Sequence, residues 1–78
     1  MSAKELNDLL DQRYGTPATF VGRVRQTIWD ADISVTELAE EAGYDLGNVS
    51  RWLNLRVVPS LRTMLVLDEA LERLLEDL

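Results

Sequence analysis

The 78-residue sequence contains no cysteine and no histidine. The first absence excludes disulfides and thiolate metal sites. The second removes the commonest general base and metal ligand. No apolar run approaches the ~20 residues of a membrane span, and there is no internal repeat or low-complexity segment. The opening residues, MSAKELNDLLDQ, carry acids where a signal peptide has its apolar stretch. A cytoplasmic protein with no membrane contact is therefore expected. Catalysis has little support, because Ser50 has no aligned base to activate it. The acidic pairs Glu40-Glu41 and Glu76-Asp77 read as exposed helix faces and lack the spacing of a metal loop. The expectation is no enzyme, metal, cofactor or small-molecule ligand.

Hydrophobic residues make up 46% of the chain, which suits one ordered domain spanning 1–78. So short a chain buries about 60% of its unfolded surface, and dimerisation would add stability. Net charge is −6, which argues against a phosphate-binding protein until its distribution is considered. From Leu46 to Leu67 there are Arg51, Arg56 and Arg62 and no acid. From Asp68 onward Asp68, Glu69, Glu72, Glu76 and Asp77 face Arg73 alone. A locally basic face and an acidic tail can coexist with DNA binding, at the cost of weaker long-range steering.

Strand signals are sparse and helix punctuation is dense. A first helix at about 2–14 carries Leu6, Leu9 and Leu10 on one face, with Tyr14 packing near its end and Gly15 closing it. Thr16-Pro17 reads as an N-cap followed by proline at the first helical position. The next helix turns Phe20, Val21, Val24 and Ile28 inward and leaves Arg23 and Arg25 on more exposed faces. Ser34-Val35-Thr36-Glu37 is a capping-box pattern, opening a short helix that ends at Gly43, with Leu38, Ala39 and Ala42 inward. Asp45 is placed to cap a helix from about Leu46 to Leu55. Pro59 breaks the chain, and Ser60 caps a last helix at about 60–78. The expectation is an all-α domain of five helices.

Two short helices separated by a glycine turn, at about 35–55, match a helix-turn-helix unit. Ala39 is small where the helices approach, Gly43 follows at the turn, and Val49 comes six residues later to plug the second helix into the core. At ~100° per residue around Val49, Trp52 and Leu53 also point inward, while Gly47, Ser50, Arg51 and Asn54 point out. Arginine suits guanine, asparagine suits adenine and serine suits either, with Leu46 in reach of a thymine methyl. Plain solvated surface is the competing reading of Arg51 and Asn54. An ordinary tight helix pair is the competing reading of the spacing. Trp52 reads as core, and Trp29 as core or interface.

The segment SVTELAEEAGYDLGNVSRWLNLRVVPSLRTMLVLDEAL resembles the Cro/repressor-type (XRE-like) helix-turn-helix DNA-binding domains of phage repressors and bacterial regulators. The resemblance spans roughly Phe20 to Leu71 and is most specific at ELAEEAG, VSRWLN and PSL. It implies a five-helix lambda-repressor-like fold whose second motif helix enters the major groove, with dimers on two half-sites. By position, Leu46, Gly47, Ser50, Arg51 and Asn54 face bases, and Arg56 matches a phosphate-contacting position. The sequence departs from the family at Val35, where glutamine is usual, and at Gly47, which has no side chain to read a base.

The leading expectation is thus a sequence-specific DNA-binding regulator acting as a dimeric repressor on double-stranded DNA. The alternative is a protein-interaction module on the same scaffold, an antirepressor or regulatory subunit. Met64, Leu67, Leu71, Leu74 and Leu78 alternate by three and four residues, a seam one helix can offer another. A homodimer through the C-terminal helix is expected, with Leu61 and Leu65 serving the core.

Overall fold

The computed structural model describes residues 2, 4, 5 and 14–78. Among them the chain is all-helical, with four helices and no strand: α1 Pro17–Asp30, α2 Val35–Ala42, α3 Leu46–Leu53 and α4 Leu61–Glu76. The count is four rather than the expected five. The helix expected at about 2–14, with Leu6, Leu9 and Leu10, falls on a stretch in which 6–13 lie outside the described residues.

Each helix starts where a side-chain oxygen satisfies an orphan amide. Thr16 Oγ1 accepts from the Thr19 amide (3.2 Å), Ser34 Oγ from Glu37 (3.0 Å), Asp45 Oδ2 from Asn48 (3.3 Å) and Ser60 Oγ from Thr63 (3.1 Å). Pro17 follows Thr16 at the first helical position, where its missing N–H costs no bond.

The first three helices end alike. Ile33 N–H returns to Ile28 O (2.9 Å), Tyr44 N–H to Ala39 O (3.0 Å) and Arg56 N–H to Arg51 O (2.9 Å). These are Schellman closures, which need a left-handed residue one position earlier. That residue is Asp32 (φ 56°), Gly43 (φ 75°) and Leu55 (φ 55°) respectively. Glycine adopts this region freely, whereas leucine pays about 1–2 kcal/mol in Cβ clash.

The core draws Phe20, Val21, Val24 and Ile28 from α1, Leu38 and Ala39 from α2, Val49 and Leu53 from α3, and Met64, Leu67, Ala70 and Leu71 from α4. Helix α4 packs on α2 and α1, and α3 packs on α2 and α1. Ala39, buried at the α2–α3 end, offers no bulk to hold these helices apart. Tyr14 joins the core edge-on to Phe20 (5.1 Å, 68°), and its hydroxyl donates to Asp68 Oδ2 (3.1 Å). Arg23 Nη2 donates to Tyr14 O (2.9 Å), tying the chain before α1 to that helix.

The apolar stripe on α4 is largely used within the chain. Met64, Leu67 and Leu71 are buried by the same chain, and Leu74 is half-buried against the core. Leu61 and Leu65, assigned to the core, only border it. The three-and-four spacing marks an apolar stripe; α1 and α2 are the surfaces that cover it. The large apolar side chains left exposed here are Leu75 in the last turn of α4 and Leu78 just past it. No described helix is long and apolar enough to cross a membrane.

Candidate functional site

Helix α3 divides cleanly. Val49 and Leu53 are buried at 0% and 4% exposure, whereas Arg51 and Asn54 are exposed and Gly47 and Ser50 are half-exposed. Trp52, expected in the core, is half-buried and stands edge-on to Tyr44 (4.9 Å, 76°). That ring pair wedges the short connection from α2 to α3 and so fixes how α3 presents its outer face. Leu46 is exposed at its first turn, and Arg56 is exposed just past its end.

Charge on this face is unbalanced. Among the described residues no carboxylate pairs with Arg51, Arg56 or Arg62, whereas Arg73 of α4 pairs with Glu41 of α2 (2.8 Å). The Schellman closure brings the backbones of Arg51 and Arg56 together, at the two positions where the motif usually places a hydrophobic pair.

The side chains differ in readiness. Arg51 Nη1 donates to Asn48 Oδ1 (2.9 Å), one turn back, which holds the guanidinium over the first half of α3. Asn54 instead turns its amide onto its own helix, donating to Ser50 O (2.9 Å) and Ser50 Oγ (3.4 Å). An adenine edge needs both a donor and an acceptor, so Asn54 must release Ser50 before reading one. Gly47 has a local reason. A Cβ there would lie 2.9 Å from Asp45 Oδ2, the cap of α3, and 3.9 Å from an Arg51 guanidinium nitrogen. The missing side chain leaves room for both.

Beside this face lies a cleft of 340 Å³, lined by Arg25, Ile28 and Trp29 of α1, Ile33, Ser34 and Val35 at the start of α2, and Ser50, Leu53 and Asn54. Arg25 Nη1 reaches Leu53 O (3.4 Å) at the end of α3. Trp29, expected in core or interface, is 83% exposed. Sequence reasoning missed Asn48 as the support of Arg51 and Arg25 as a neighbour of α3. The three-residue spacing signalled the first; nothing local signalled the second. Among the described residues no cluster of acidic side chains could hold a metal.

Comparison with family models, with curated proteins and with solved structures finds no match to this chain.

Proposed function

We propose that this chain is a sequence-specific DNA-binding regulator of the Cro/repressor type, a phage or bacterial repressor, with α2 and α3 as its helix-turn-helix. One observation carries the reading. Helix α3 spends Val49 and Leu53 on the core and leaves Arg51 and Asn54, with Arg56 beyond, exposed, and neither arginine is ion-paired, in a chain of net charge −6. Arginines left without an ion pair within so acidic a chain suit an anionic partner.

In this reading Arg51 donates to a guanine edge, Ser50 and Asn54 read beside it, Leu46 meets a thymine methyl, and Gly47 lets the backbone come close. Arg56 neutralises a phosphate. Two copies, meeting through Leu75 in the last turn of α4 and Leu78 just past it, would place two reading helices one DNA turn (~34 Å) apart. The test is selection of duplexes from a random pool, followed by fluorescence anisotropy over a salt series. Steeply salt-dependent binding to a shared sequence supports the reading. Equal, weak binding to every duplex defeats it.

A second reading has its own support. Leu55, Val57 and Val58 are all exposed in the loop after α3, and three neighbouring apolar side chains suit a protein surface better than a DNA groove. A regulatory subunit that binds another protein through this loop would retain no duplex, even at low salt.

A further inference from the structure

Gly22, Arg25, Gln26 and Trp29 follow one another at steps of three, one and three residues along α1, on one exposed face. They line a shallow surface groove, and a Cβ at Gly22 would meet nothing within 4 Å. Arg25 and Trp29 also line the cleft that reaches Ser50 on α3 and Asn54 at its cap, so the α1 groove adjoins the face proposed to read bases. The two depressions are lined by one guanidinium and no carboxylate. Asp30 borders them, with Oδ1 engaged by Gln26 Nε2 (2.9 Å).

Trp29 is the unexplained residue of this surface. An indole left 83% exposed keeps one of the largest apolar side chains out of the core. A ring with an apolar face and one N–H donor, one turn from an arginine, suits a polymer that alternates apolar sugar with phosphate.

We propose that this face of α1 carries a strand of the DNA backbone flanking the groove occupied by α3. Trp29 packs on a deoxyribose and Arg25 meets the adjoining phosphate. The strand crosses the open surface at Gly22. Arg25 keeps donors for that contact, because its bond to Leu53 O occupies one of five N–H groups. Such contacts set register and affinity without reading sequence. The inference rests on the DNA-binding reading and adds a second helix to it.

The experiment uses a Trp52→Phe protein, which keeps a ring against Tyr44 and leaves Trp29 as the sole indole. With selected duplex at saturation, acrylamide quenching of Trp29 should fall about threefold as the ring leaves solvent. Gly22→Glu and Gly22→Arg are then compared at 0.15 M salt, where charges more than ~8 Å apart are largely screened. Both side chains enter open space, so neither threatens the fold, and their affinities should separate by about tenfold in favour of arginine. If duplex binds and Arg51→Ala weakens it, yet Trp29 stays as quenchable as before and the two Gly22 variants bind alike, this inference is overturned while the DNA reading stands. If the wild type binds no duplex at low salt, both fall.

Discussion

Helices α3 and α4 are both amphipathic, and they end in opposite situations. Helix α4 has sixteen residues, and its apolar stripe at Met64, Leu67, Ala70 and Leu71 is consumed by the chain's own core. Its outer positions carry Glu69, Glu72 and Glu76. Helix α3 has eight residues, is anchored by Val49 and Leu53, and turns one cation, Arg51, outward. A helix that short is marginal by itself in water, so its position depends on the burial of two side chains, the Asp45 cap and the Tyr44–Trp52 ring pair. The difference separates a scaffold, where burial decides stability, from an exposed face that the core does not use. Charge follows the same division, which is why the overall net charge misleads about the local surface.

The largest expected effect is on the scaffold side. Leu67 is fully buried at the centre of α4, and Leu67→Ala should cost about 2–5 kcal/mol. In a chain this small that is a large share of total stability, so thermal unfolding should show a much lower Tm or no cooperative transition. Arg51→Ala should leave the melting curve nearly unchanged while weakening a cognate duplex by about 1–3 kcal/mol and relaxing preference at one base pair, as read by anisotropy on point-substituted duplexes. A melting curve that collapses would show that α3 is as structural as α4. Asn48→Ala should reproduce part of this loss, because it frees the Arg51 guanidinium without removing it.

The helix ends sharpen the comparison further. Gly43→Ala places a Cβ in open space but in left-handed backbone, so its expected cost of about 1 kcal/mol is purely conformational. Leu55→Gly runs the other way: relief of the left-handed strain should outweigh the added freedom of the unfolded chain by about 0.5 kcal/mol. Chemical denaturation of the two variants should move the midpoint in opposite directions. If Leu55→Gly destabilises instead, the exposed leucine side chain contributes packing that outweighs its strain.

Much of the fold was legible because helix boundaries rest on short-range chemistry. Thr16-Pro17, Ser34, Asp45 and Ser60 satisfy amides three residues ahead, and Gly43 closes a turn whose partner, Ala39, lies five residues back from Tyr44. Apolar spacing likewise placed Phe20, Val21, Val24, Ile28 and Val49 inward. The outward set on α3 was readable from helix period alone, because one buried anchor determines the rest of so short a helix.

Other features depend on how elements meet, and no local pattern encodes that. The same three-and-four spacing on α4 suits a dimer seam or a private core, and α1 and α2 bury Met64, Leu67 and Leu71 of it. Trp29 on α1 is apolar enough for burial, yet it is left 83% exposed and none of the described helices covers it. Arg25 reaches Leu53 O, and Tyr14 reaches Asp68 across 54 residues, because packing brings distant backbone together. The sequence by itself determined where helices begin and end and which stripe of each is apolar, since those follow from hydrogen bonds and periodicity within one or two turns. The tertiary structure alone decided which stripes are covered and which cations stay unpaired, since burial is a property of pairs of surfaces.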